Sequence, residues 1–90
     1  MQPRQVLEYL EDLAERLGVE IVYEKLGGEE FRVRGGLCKF RGRYKIFMDP
    51  SETVEGQIKI LAKALSSFNT EDVYLLPHIR GILEKAQRSS

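Results

Sequence analysis

Ninety residues with 14 basic and 14 acidic side chains, 42% hydrophobic and 31% charged, describe one folded domain over residues 1–90 and exclude a disordered chain. One cysteine, Cys38, and one histidine, His78, exclude an intrachain disulfide and the Cys/His zinc frameworks. No apolar run approaches the roughly 20 residues of a spanning helix, and Met1-Gln2-Pro3-Arg4 carries no apolar leader segment, so a cytoplasmic location is the expectation.

Pro3 to Leu17 has the spacing of an amphipathic helix. Val6, Leu7, Leu10, Leu13, Ala14 and Leu17 form its apolar stripe, and Glu8, Glu11, Asp12 and Glu15 its wet face. Pro3 suits the first helical position, and Gly18 suits the left-handed residue that closes a helix. Val19 to Leu26 alternates as a strand, and Gly27-Gly28 signals a turn. Glu30 to Arg34 alternates again, Gly35-Gly36 interrupts, and Leu37 to Arg41 and Tyr44 to Met48 follow as two strands around a Gly42-Arg43 turn.

Asp49 to Thr53 opens a helix, with Ser51 or Thr53 as its cap. Its stripe is Val54, Ile58, Leu61, Leu65 and Phe68, with Ala62 and Ala64 beside it. Ser66 to Asp72 is a polar connection. Pro77 opens a last short helix that turns Ile79, Ile82, Leu83 and Ala86 inward, and Gln87 to Ser90 is a polar tail.

The expected fold is therefore α+β in two layers: an N-terminal helix, a four-stranded antiparallel meander and two C-terminal helices on one sheet face. Alternation assigns the faces. Phe31 and Val33, then Cys38, Phe40, Tyr44, Ile46 and Met48, are expected to point inward, with Gly35-Gly36 as the turn or bulge that switches parity.

Charge is segregated along the chain. Residues 1–30 hold 3 basic and 8 acidic side chains, whereas residues 31–48 hold 6 basic and none acidic. Alternation places Arg32, Arg34, Lys39, Arg41 and Lys45 on the outward sheet face with Phe47, and Arg43 in the adjoining turn. Cations with an aromatic on an open sheet suit single-stranded nucleic acid or another polyanion. The competing account is a solvated face, in which Glu20 and Glu24 pair across strands with Arg32 and Arg34 and the cations guard a sheet edge.

Leu75, Leu76, Ile79, Ile82 and Leu83 form a C-terminal apolar group that either closes the core or makes a homodimer face. Cys38, expected beside Phe40 on the inward face, is an inert buried thiol. Cys38, His78 and Asp49 are the only nucleophile, base and orienter available, and their spacing does not join them. The glycine pairs form no phosphate loop.

Gly35-Gly36-Leu37-Cys38-Lys39-Phe40-Arg41-Gly42 and Tyr44-Lys45-Ile46-Phe47-Met48-Asp49, followed by a helix, resemble an uncharacterised family of small bacterial proteins, a likeness that brings no activity with it. The layout over residues 10–66 also resembles, loosely, zinc peptidases of the His-Glu-x-x-His type. Gln57 to Phe68 contains neither His nor Glu, so this resemblance implies a non-catalytic relative.

The expected function is a non-catalytic binding or interaction module without cofactor or metal. Its partner is another protein or a second copy, with nucleic acid as the alternative and no membrane.

Overall fold

The computed structural model describes residues 1–23 and 37–88, apart from the Phe40 side chain. The elements are α1 (Pro3–Arg16), β1 (Val19–Tyr23), β2 (Leu37–Phe40), β3 (Arg43–Met48), α2 (Val54–Leu65) and α3 (Pro77–Arg88). The expected strand over 30–34, with Phe31, Val33, Arg32 and Arg34, lies outside the described residues, as does the expected inward side chain of Phe40. Among the described residues no helix is long and apolar enough to cross a membrane.

Local chemistry sets the helix ends. Pro3 occupies the first turn of α1, and the Gln2 amide donates to Gln5 Oε1 at 2.9 Å. Gly18 follows the helix at φ 77°, a conformation that costs a residue without Cβ little. Thr53 caps α2, its Oγ1 accepting from the Gly56 amide at 3.0 Å. Upstream, Asp49 Oδ1 accepts from the Ser51 amide at 2.8 Å and the Ser51 hydroxyl at 2.7 Å, which turns the chain out of β3 towards that cap.

The three described strands form a mixed sheet in the order β1-β3-β2. β2 and β3 are an antiparallel hairpin, whereas β1 runs parallel to β3. The expected all-antiparallel meander is corrected at that pairing. Short sequence-adjacent strands suggest hairpins, but β3 takes the centre because it carries the fully buried Ile46 and Met48. A central strand needs a neighbour on each side, and β1 supplies one edge.

The turn also differs. Its central residues are Arg41 and Gly42, at φ 53° and 78°, not Gly42 and Arg43. Two successive positive φ values are the mark of a type I′ hairpin, whose twist matches that of the strands. Any two-residue loop pairs an odd-numbered residue with an even-numbered one. The even positions of β2 and β3 therefore cannot share a face, and the expected inward set divides.

Directly paired residues project to the same side of a sheet. Leu37 pairs with the buried Ile46, and Lys39 with Tyr44, so these lie on the helix side. Cys38 pairs with Lys45, and both lie on the opposite side. On β1, Val19, Ile21 and Tyr23 match Tyr44, Ile46 and Met48 on the helix side, while Glu20 and Val22 match Lys45 and Phe47 on the other.

The core lies between the sheet and the helices. It joins Val6, Leu7, Leu10, Leu13 and Ala14 of α1 to Val19, Ile46 and Met48 of the sheet, Leu61, Ala62, Ala64 and Leu65 of α2, and Leu75, Ile79 and Leu83. α1 packs on β1 and α2, α2 on β3, and α3 on α2. The Tyr9 hydroxyl donates to the Tyr74 carbonyl and accepts from the Leu76 amide, both at 3.4 Å, which joins α1 to the segment entering α3.

Candidate functional site

Arg32 and Arg34 lie outside the described residues, and the described members of the basic run do not build one surface. Lys39 stands on the helix side of β2, exposed, with its ammonium 5.4 Å from the centre of the Tyr44 ring. Tyr44 in turn meets the edge of Phe68, ring centres 4.9 Å apart at 82°. Arg41 sits in the hairpin turn. Arg43, Lys45 and Phe47 project from the other sheet face, where Glu20 matches Lys45 in register. The expectation that Lys39 and Lys45 share an outward face is therefore corrected by the pairing itself. Beside them that face carries the half-buried Val22, Cys38 and Phe47.

The inward expectation for Cys38 is corrected by the same register: it is half-buried on the side away from the helices. His78 is the second residue of α3, which packs on α2 in the helical layer, whereas Cys38 projects from the sheet face turned away from the helices. Asp49 lies four residues beyond Lys45, the partner of Cys38, roughly 13 Å along the strand direction. The structure does not bring these three together. Among the described residues no three His, Cys, Asp or Glu side chains are placed to hold a metal ion.

Of the C-terminal apolar group, Leu75 is 3% exposed, Ile79 0% and Leu83 6%. These three close the core of their own chain and offer nothing to a partner. Leu76 and Ile82 are only half-buried.

Ile82 lies in a largely apolar surface depression. A groove of about 570 Å³ runs between α2 and α3, lined by Ile58, Lys59, Ala62, Lys63, Ile82, Lys85 and Ala86. Helical spacing builds it. Ile58 and Ala62 are four apart on α2, and Ile82 and Ala86 four apart on α3, so each helix contributes one short apolar row. Each apolar row has a basic neighbour: Lys59 and Lys63, again four apart, on α2, and Lys85 on α3. Ala62 and Ala86 keep the floor low where larger side chains would fill it, while Ile58 and Ile82 stay half-buried.

Of these residues only Ile82 stands out in the sequence, as part of the C-terminal apolar group. Ile58 and Ala62 fall on the stripe of α2 and read as core, which Ala62 is. The available signal was the Lys-x-x-x-Lys row directly beside an Ile-x-x-x-Ala row. Two other depressions are less distinctive. One, of about 210 Å³, lies beneath residues 66–71 and mixes Phe68, Leu75 and Leu83 with Glu71 and Glu84. The other joins the starts of α1 and α2 through Gln2, Arg4, Thr53 and Glu55.

Compared with protein-family models, curated proteins and solved structures, the chain matches none.

Proposed function

We propose that this protein is a non-catalytic interaction module that receives a short helical segment of another protein in the groove between α2 and α3. One observation carries the reading: two packed helices leave Ile58, Ile82 and Ala86 half-covered around a concave apolar floor, although the core beside them is closed. Two helices with an open seam present the grooves into which the side-chain ridge of a third helix packs. A cytoplasmic location belongs to the same proposal.

A homodimer through this groove is disfavoured by charge. Packing two copies groove to groove sets Lys59, Lys63 and Lys85 against their own counterparts. Polyanion binding by the basic run is the weaker alternative, because the sheet divides Lys39 from Arg43 and Lys45.

The test is a titration of the ¹⁵N-labelled chain, at low salt, with three helical peptides that share one apolar stripe and differ in charge, and with a mixed-sequence single-stranded oligonucleotide. Shifts centred on Ile58, Ala62, Ile82 and Ala86 with any of the peptides are the expected result. Shifts confined to residues 39–47 with the oligonucleotide, or none with any peptide, overturn the proposal.

A further inference from the structure

We infer that the segment received by this groove is acidic: an amphipathic helix with two apolar anchors one turn apart and Glu or Asp on the flanks of that stripe. The inference rests on the groove being a docking site, as proposed above, and adds the chemistry of its occupant.

Charge complementarity carries it. All three charged side chains that line the groove are lysines, Lys59 and Lys63 on the α2 wall and Lys85 on the α3 wall. The nearest acid in the α2 row is Glu55, one turn before Lys59, and it lines a different depression. A helix seated on the floor between Ile58 and Ile82 therefore meets the exposed ammonium groups of Lys59 and Lys63 along its α2 flank, and these two carry the preference, since Lys85 on the α3 flank already has an interaction within its own chain. Lysine suits that place, since its long stem lies along apolar surface while the charge stays in water. Acidic flanks gain at each such contact, and basic flanks lose.

Dimensions set the length of the occupant. Residues 58–63 rise about 8 Å along α2, at about 1.5 Å per residue. That matches roughly one and a half turns of a partner helix, hence two anchors at i and i+4 with acids beside them. An interface this short falls in the small, transient class. Concavity separates this occupant from a lipid surface. A bilayer is flat on this scale and leaves the floor at Ala62 and Ala86 untouched, whereas a helix presents a ridge that reaches it.

The chain contains no tryptophan, so a peptide carrying one as an anchor reports its own binding by fluorescence. Three 16-residue helical peptides with one Leu/Trp stripe and Glu, Gln or Lys on the remaining face make the comparison. At about 20 mM salt the Glu peptide is expected to bind at least about tenfold more tightly than the Lys peptide, with Gln between, and the spread shrinks to about threefold or less at 0.5 M salt. The double variant Lys59→Glu/Lys63→Glu, at two exposed positions that leave the core untouched, reverses the order. Ile82→Ser weakens all three peptides alike.

Equal affinity for the Glu, Gln and Lys peptides leaves the groove as a docking site and overturns its acidic preference. Tightest binding of the Lys peptide overturns it too. No binding of any peptide overturns both. Vesicles of phosphatidylcholine and phosphatidylserine (3:1) that shift the resonances of Ile58, Ile82 and Ala86, when no peptide does, transfer the groove to a membrane surface and overturn the inference. Circular dichroism of each variant, expected to match the parent chain, separates lost binding from lost fold, and the unfolding midpoint is expected to match for the lysine variant and to fall by only a few degrees for the half-buried Ile82→Ser.

Discussion

Helix α1 buries Val6, Leu7, Leu10, Leu13 and Ala14, whereas α3, equally amphipathic in sequence, buries only Ile79 and Leu83 and leaves Ile82 and Ala86 half-covered. Their surroundings account for the difference. α1 lies against both β1 and α2, so its whole stripe meets neighbours. α3 packs on α2, so one edge of its stripe reaches the core and the other edge becomes the wall of the groove. An apolar stripe states that a surface must be covered. It does not say whether the chain's own core or another molecule covers it.

That contrast breaks if the stripe of α3 is uniformly structural. Leu10→Ala and Ile79→Ala remove fully buried side chains and are each expected to cost about 3 kcal/mol of unfolding free energy, transfer and cavity together. Ile82→Ala, one turn from Ile79 but half-exposed, is expected to cost about 1 kcal/mol or less. Urea unfolding of the three variants gives the comparison. An Ile82→Ala cost equal to that of Ile79→Ala would place the groove inside the core and remove the docking surface.

How much of this was open to sequence reasoning differs by region. Helix positions and caps were legible because they depend on near neighbours: Pro3, Gly18, Thr53 and Pro77 act where spacing places them. The sheet was less legible. Pairing β1 with β3 is a long-range choice, and no local signal in Val19–Tyr23 distinguishes a parallel partner from an antiparallel one. The face of Cys38 and Lys39 depended on the hairpin alone, and a two-residue loop carries odd positions opposite even ones. Assigning one parity through that loop placed Cys38 inside and Lys39 outside, the reverse of their positions here. The groove was least legible, because whether the row Ile58-Ala62 is covered depends on where α3 ends up, not on anything within α2.

Two smaller effects sharpen the contrast between the helices. Thr53→Ala removes the oxygen that accepts from the Gly56 amide at the start of α2 and is expected to cost about 1 kcal/mol. Peptide affinity should be nearly unchanged, since Thr53 does not line the groove. A large loss of affinity would show that α2 must be held from its cap to form the wall. Gly81, an exposed position within α3, has nothing within 4 Å of an added Cβ. Gly81→Ala is expected to stabilise the fold by about 0.5–1 kcal/mol through backbone entropy. Destabilisation instead would mean that α3 is bent or displaced at that point.

The smallest effect lies at the tie that fixes the outer flank of α1. The Tyr23 hydroxyl, at the end of β1, donates to Glu11 Oε2. Partial burial, then that hydrogen bond and the negative charge of Glu11, hold the phenol well above the usual tyrosine range. The raised value means that the folded state favours the neutral, protonated phenol. Its contribution is therefore complete below about pH 10, where an unfolded tyrosine is protonated too, and it fades as pH climbs towards the folded value. Both groups face water, so Tyr23→Phe is expected to cost only about 0.5 kcal/mol at neutral pH, the low end for a hydrogen bond. The difference between the two proteins should shrink above about pH 11. Absorbance at 295 nm resolves the same point directly: the Tyr23 phenol should give a late-ionising component, and that component should vanish in Tyr23→Phe. Glu11→Gln should bring it part of the way down. An unchanged titration in Glu11→Gln would assign the whole shift to burial, and the Tyr23 hydroxyl would then add nothing to the apolar packing of α1 on the sheet.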